Sequence, residues 1–162
     1  MNMKLKIANY LFAGLFITNL AAANSAQGQT VVIVNKANPV TDISKAQLLD
    51  FYLGKEIVWK NSSRIYPATL RTNQSIAKIF FLNGLGKKIG RVKRIWLKLS
   101  LSGRTSPPKI LNIAADVVAY VSQNKGAIGF IPAEKLDETV KVIKIDGKAY
   151  NEKEYFLSQE TE

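Results

Sequence analysis

The spacing of apolar residues along the chain predicts alternating strands and helices. The run TVVIVN at 30–35 is short, β-branched and uninterrupted by polar residues, which is typical of a strand buried on both faces. Apolar residues at 43–54 instead recur at helical spacing, with Ser44 as a predicted N-cap and Gly54 at the expected stop. The glycine-flanked run KGAIGFIP at 125–132 predicts another buried strand.

The same pattern predicts the remaining elements. These are a strand at 64–70, helices at 75–86, 87–103 and 111–124, and an alternating hairpin segment at 140–150. We expect Ser75 to cap the first of these helices and Asp146-Gly147 to form the hairpin turn. The last dozen residues are polar, and we expect them to fray. Because strands and helices alternate, the predicted fold class is α/β, with one domain built on a mixed sheet covered by helices.

The first 26 residues have the organisation of a secretory signal peptide. Lys4 and Lys6 precede an apolar run that ends in small residues. We therefore predict a signal peptide at 1–26 and a mature domain at 27–162, exported and not membrane-spanning after cleavage. The predicted location is the periplasm if the source is a Gram-negative bacterium. The chain has no cysteine, so it offers neither a lipoprotein attachment site nor a disulfide framework.

The charge and the missing residue types limit the function. The 162 residues carry a formal net charge of +11, which favours anionic partners. The sequence has no histidine and no cysteine. It therefore lacks the usual general base near neutral pH, the thiol nucleophile and the common zinc ligands. We predict binding rather than catalysis, with no cofactor and no metal.

Three segments together resemble the phosphate-type ABC-transporter substrate-binding proteins. The first, VVIVNKANPVTDISKAQLLDFYLGKEIVW, resembles a strand, an Asn-Pro loop, a helix and an F-x-G-K-I-x-x-W motif. In the second, Arg71 and Ser75 match the arginine and serine of a phosphate-binding loop at a helix start. The third, KGAIGFIP, resembles the family's G-A-I-G-Y-V strand. The resemblance covers about residues 31–132, and the order and spacing of the three segments carry it.

The resemblance implies a type 2 periplasmic-binding fold, mainly one lobe, and a small oxyanion ligand with phosphate as the default. Arg71 would supply charge and a bidentate contact, and Ser75 would supply a hydrogen bond together with the backbone N–H groups behind it. The expected partners are the anion and a membrane permease or envelope protein. Ile76 and Ala77 depart from the family loop, which has Gly and Thr at these places. Full-length members are also about twice as long as this chain.

Further polar residues complete the predicted ligand set. Thr72 and Asn73 lie between Arg71 and Ser75, and a second polar turn precedes a Pro-Pro pair. The candidates outside the Arg71 loop are Asn35, Asn38, Ser102, Gly103 and Arg104. Gly103 would permit an anion-cradling backbone, and Arg104 would complete a basic pocket. The alternative for all of these residues is an ordinary structural role in capped helices and polar turns.

Two other patterns give alternative functions. The cations at 87–98 form a basic stripe on a predicted helix, which indicates either a solvated face or a contact with an acidic partner. We expect no nucleic-acid partner for an exported protein. A protein that keeps this scaffold without ligand binding would be an interaction module of the cell envelope. Ser75 and Lys78 match the S-x-x-K signature of serine acyl-enzymes, but the chain contains neither SDN nor KTG.

Overall fold

The computed structural model describes residues 29–103 and 105–157; the predicted signal peptide and Arg104 lie outside these residues. The strands are β1 (Thr30–Asn35), β2 (Asp42–Ile43), β3 (Tyr66–Leu70), β4 (Lys109–Leu111), β5 (Ala127–Pro132), β6 (Val140–Val142) and β7 (Lys144–Ile145). The helices are α1 (Lys45–Tyr52), α2 (Ser75–Ile79), α3 (Ile89–Ser102) and α4 (Ala114–Gln123). A π-helical turn at Phe80–Gly84 continues α2, and a 3₁₀ turn at Ala133–Lys135 follows β5. Within the described ranges, each helix is too short or too polar to cross a bilayer.

A five-stranded mixed sheet in the order β4-β3-β5-β1-β6 forms the centre of the domain. Strand β3 is parallel to β4 and β5, whereas β1 is antiparallel to β5 and β6. The three parallel strands therefore end at the same edge of the sheet, which we call the carboxyl edge. The opposite edge, where β3 and β5 begin, is the amino edge. Strands β2 and β7 form a separate parallel pair.

Helices cover both faces of this sheet, and the alternation of side chains along β1 explains why. Val31 and Ile33 face one side, where they pack in a cluster with the buried valines of α4. Val32 and Val34 face the other side and join a larger cluster with α1, the π-helical turn and α3. Both sets are fully buried, as the sequence pattern predicts for a strand in the middle of a sheet. The predicted fold class, a mixed sheet covered by helices, is confirmed.

The larger cluster is rich in aromatic side chains. The rings of Phe80 and Phe130 stack with their centroids 3.8 Å apart, and Tyr52 packs edge-on against Phe80. The indole nitrogens of two buried tryptophans donate to main-chain oxygens, Trp59 to Gly126 at 3.0 Å and Trp96 to Tyr52 at 2.8 Å. These rings fix α1, the π-helical turn and α3 against β5.

The predicted cap of α1, Ser44, is confirmed, and the predicted cap of the second helix, Ser75, is wrong. Ser44 caps α1 through a capping box with Gln47. The second helix, however, has Gln74 and not Ser75 as its N-cap, and the cap makes no side-chain hydrogen bond. The π-helical turn places one more residue in each turn than an α-helix does, so it shifts the buried face. Leu82, which α-helical spacing would bury, is 51% exposed.

The end of the described chain does not fray as predicted. Tyr155 and Leu157 are each 2% exposed and belong to the larger cluster. Leu157 packs so tightly against Gly84 that a Cβ added to this glycine would lie 2.6 Å from its side chain. The polar composition of the segment conceals these two apolar anchors. The expectation that the last residues would be free was therefore wrong for residues 155–157.

Candidate functional site

The residues from Arg71 to Ser75 form a tight loop at the carboxyl edge, between β3 and α2. The backbone N–H of Arg71 donates to the oxygen of Leu111 at 3.1 Å and so extends the ladder between β3 and β4. The Arg71 carbonyl accepts from the backbone N–H of Gln74 at 3.0 Å, which closes the turn. The sheet thus fixes the backbone position from which the Arg71 side chain extends.

Asn112, the residue after β4, holds both ends of this loop. Its Oδ1 accepts a hydrogen bond from Arg71 Nε at 2.6 Å. Its main-chain oxygen accepts from Gln74 Nε2, also at 2.6 Å. Asn112 does not cap the following helix, because the N-cap of α4 is Ile113. The role of Asn112 depends on the parallel pairing of β3 and β4, and a three-residue strand leaves no periodic signal in the sequence.

The two Nη groups of Arg71 face solvent without a protein partner among the described residues. Two ion pairs occur in that part of the chain, Lys55–Asp50 and Lys148–Glu154, and neither involves Arg71. Asn112 is neutral, so it orients the guanidinium without neutralising its charge. A planar fork fixed at Nε and free at both Nη groups is suited to a bidentate contact with an oxyanion.

The same loop carries other hydrogen-bond donors. The side chains of Thr72, Asn73 and Ser75 make no hydrogen bond within the described residues, and Asn73 and Ser75 are exposed. The first backbone N–H groups of α2 have no carbonyl acceptor there either, since the first bond into the helix comes from Lys78 to Gln74. The loop therefore presents an arginine fork, two hydroxyls, an amide and helix-start N–H groups at the carboxyl edge.

Ile76 and Ala77 occupy the places where the resembling family has Gly and Thr. Ile76 is half-buried and packs against both core clusters, and Ala77 is fully buried. The branched side chain of Ile76 is therefore directed into the core and not across the loop. The missing Thr hydroxyl removes one donor from the loop.

Asn35 and Asn38 lie at the amino edge, away from Arg71. Thr30, at the other end of β1, pairs with Pro132 at the carboxyl edge. The length of β1 therefore separates Asn35 from the carboxyl edge by about 16 Å. Both donors of the Asn35 amide are used, bonding the oxygens of Val121 and Ser122 at the end of α4. The Oδ1 of Asn38 accepts from the Val40 backbone at 3.0 Å. The two asparagines and Arg71 do not form one site.

Ser102 and Gly103 are also distant from the Arg71 loop. Gly103 ends α3 with a left-handed backbone, φ +65°, as a C-terminal glycine commonly does. Thr105, two residues after Gly103, lines a cavity of about 200 Å³ together with Tyr66 and Pro67 at the beginning of β3. Ser102 and Gly103 therefore belong to the amino edge, and Arg104 lies outside the described residues.

Arg71, Asn73 and Ser75 of the loop are exposed. Two concavities, of about 200 and 300 Å³, lie elsewhere on the described part of the protein, and no residue of the loop lines either. The described residues also contain no group of three carboxylate, histidine or cysteine side chains placed to hold a metal. A ligand on this loop would meet one wall only, and a deep pocket would need a second wall.

Comparison with known proteins identifies the fold. No protein-family model and no curated protein matches the sequence. Among solved structures, an ABC-type phosphate transport receptor from Vibrio cholerae matches with a TM-score of 0.57 and 24% identity. A putative phosphate ABC transporter substrate-binding protein from Clostridium perfringens, with bound phosphate, matches with a TM-score of 0.63 and 24% identity. PstS from Borrelia burgdorferi matches with a TM-score of 0.55 and 13% identity.

These matches cover most of this chain but less than half of each matched protein. They cover 75% of this chain but only 47%, 46% and 48% of the three receptors. The chain therefore has the fold of phosphate-receptor structures and spans less than half of their length. This agrees with the type 2 periplasmic-binding fold, mainly one lobe, that the sequence resemblance implies.

Proposed function

We propose that this protein is an exported solute-binding protein that holds a small oxyanion, phosphate by default, on the Arg71 loop. The observation that carries the proposal is the Arg71 guanidinium, which Asn112 orients through Nε at 2.6 Å. Its two Nη groups have no carboxylate partner among the described residues. An oxyanion would complete this arrangement through two parallel N–H···O bonds.

The position of the loop adds support. In open α/β sheets, ligands bind beyond the carboxyl ends of the parallel strands, and the Arg71 loop follows β3 at that edge. Ser75 and the first N–H groups of α2 would add hydrogen bonds to the ligand. Thr72 and Asn73 would complete the set. The matched receptors from Vibrio cholerae and Clostridium perfringens are phosphate-transport proteins by name, which makes phosphate the first anion to test.

This proposal also implies a location and a partner for the protein. An exported receptor of this kind would work in the periplasm, after removal of the predicted signal peptide at 1–26. It would deliver its anion to a membrane permease of the ABC type. Since the loop supplies only one wall, a permease or a second chain would supply the other.

The proposal is tested by isothermal titration of the processed protein with phosphate, using sulfate as a competitor. We expect saturable phosphate binding that Arg71→Ala abolishes without a change in the circular dichroism spectrum. Binding that is unchanged in Arg71→Ala would contradict the assignment of the site.

A second candidate is an interaction module of the cell envelope that keeps this scaffold without ligand binding. The observation that favours it is the open surface around Arg71, together with the loss of the Thr hydroxyl at Ala77. The same titration separates the two candidates, because the module would give no heat of binding with either anion.

A further inference from the structure

The outer face of α3 combines exposed leucines with unpaired cations. We define this face as Arg91, Lys93, Arg94, Leu97, Lys98 and Leu101, all of which are exposed. Leu97 is 60% exposed and Leu101 is 79% exposed, one helical turn apart. At about 100° per residue, Leu101 lies opposite the fully buried Val92. Leu101 therefore points directly away from Val92, and Leu97 lies beside it on the outer side of the helix.

The cations of this face lie on both sides of the leucines. Lys93 is on one flank of the pair, and Arg94, Lys98 and Arg91 are on the other. The ion pairs found in the described residues involve none of them. Between Glu56 and Asp116 the sequence contains no Asp or Glu, so every charged residue of this stretch is Lys or Arg. No acidic residue of this stretch of the chain therefore offsets the cations of α3.

We propose that the outer face of α3 docks on a membrane surface rich in anionic phospholipid. Leucine side chains at the middle of the face would enter the headgroup region, and the flanking cations would reach the lipid phosphates. The helix surface is convex, and its lysine and arginine side chains are flexible. Such a surface fits the mobile phosphates of a lipid surface better than the fixed carboxylates of an acidic protein. Like charge disfavours a second copy of the same face as the occupant.

Sedimentation with vesicles tests this docking. The processed protein is mixed with vesicles of pure phosphatidylcholine or of phosphatidylcholine with one third phosphatidylglycerol. We expect pelleting with the anionic vesicles only, and release when the ionic strength is raised, because salt screens the charge contribution. All variants share the same N-terminus, so differences among them are due to the substituted residues.

Matched variants separate the face from the net charge. We expect Arg91→Glu with Lys98→Glu to weaken binding to anionic vesicles by more than tenfold. The control, Lys125→Glu with Lys135→Glu, makes the same change in net charge at two exposed lysines outside α3 and should stay within about twofold of the unchanged protein. Leu97→Ser with Leu101→Ser should weaken binding about tenfold and leave the salt dependence intact.

A second measurement places the leucines in the interface directly. Because the chain has no cysteine, Leu101→Cys can be labelled with an environment-sensitive fluorophore, with Glu134→Cys as the control position. We expect a blue shift at position 101 and none at 134 when anionic vesicles are added. Equal loss of pelleting in both charge-reversal pairs would overturn the proposal, because net charge alone would then explain binding. Absence of pelleting with anionic vesicles would overturn it too, and would favour an acidic protein as the partner.

Discussion

Arg71 Nε donates to Asn112 Oδ1 at 2.6 Å, across the paired ends of β3 and β4. This contact couples the charge of the candidate site to the sheet. It holds the guanidinium plane at one nitrogen and leaves the other two nitrogens for a ligand. A neutral amide is suited to this role, because a carboxylate in its place would compete with an anion for the same arginine.

Asn112→Asp is therefore expected to remove most of the phosphate affinity. A carboxylate beside Arg71 neutralises the guanidinium and repels the anion, so we expect a loss of tenfold or more, about 1.4 kcal/mol. Asn112→Ala should cost less, since only the orientation of Arg71 is lost. Isothermal titration measures both. Asn151→Asp makes the same change in charge at an exposed position, and an equal loss in that control would contradict the role of Asn112.

Asn35→Ala is expected to act on stability and not on anion affinity. The change removes two hydrogen bonds to α4, at 2.9 and 2.8 Å, and leaves partly buried carbonyls unpaired. We expect the free energy of unfolding to fall by about 2 kcal/mol, measured by urea denaturation. A clear loss of phosphate affinity in the folded variant would show instead that Asn35 belongs to the binding site.

Gly126→Ala is expected to destabilise the fold strongly. A Cβ at this position would lie 2.0 Å from the main-chain oxygen of Arg64, which cannot move without breaking the start of β3. We expect a loss of roughly 3 kcal/mol or more, seen as a large drop in the urea midpoint. Gly90→Ala is the matched control. It has nothing within 4 Å and lies in α3, so it should stabilise the protein by up to about 1 kcal/mol. A normal urea midpoint for Gly126→Ala would contradict the close approach.

Alkaline pH is expected to destabilise the protein through Tyr52. Burial raises the pKa of this phenol well above its usual value of 10.0, and its hydroxyl donates to the Ala68 oxygen at 2.8 Å. The neutral phenol therefore stabilises the fold fully below the unfolded pKa. That contribution is lost as the pH rises from there toward the folded pKa.

Urea denaturation at about pH 8 and about pH 11 measures this effect. Tyr52→Phe should cost about 1 kcal/mol at the lower pH, because a hydrogen bond is lost, and should reduce the further loss at the higher pH. Identical pH dependence in the variant and the unchanged protein would show that Tyr52 does not contribute. The burial of Tyr155 raises its pKa as well, so part of the alkaline loss should remain in Tyr52→Phe.

The sequence predicted the fold well where one element carries its own signal. The β-branched run of β1 and the Ser44 N-cap of α1 depend on local residues, and both are confirmed. Strand β4 and the π-helical turn were missed, since three residues show no period and α-helical spacing hides an extra residue per turn. The burial of Tyr155 and Leu157 depends on a distant glycine, Gly84, which no local pattern reveals.

The candidate site residues also differ in how well the sequence predicts their positions. Arg71, Thr72, Asn73 and Ser75 are close in sequence, and the structure keeps them together. The strand register decides whether the other four candidates lie near this loop, and the sequence does not show the register. In the structure it places Asn35, Asn38, Ser102 and Gly103 at the amino edge. Asn112 approaches Arg71 through the same parallel pairing, 41 residues along the chain.

The most direct test of the central claim is a phosphate titration followed by the ¹⁵N–¹H spectrum of the labelled, processed protein. The account predicts that the backbone amides from Thr72 to Ala77 and the Nε–H of Arg71 shift in a saturable way. The amides of Ala37 and Gly103, at the amino edge, should stay in place. Saturable shifts at the amino edge alone, or no shifts at all, would contradict an oxyanion site on the Arg71 loop.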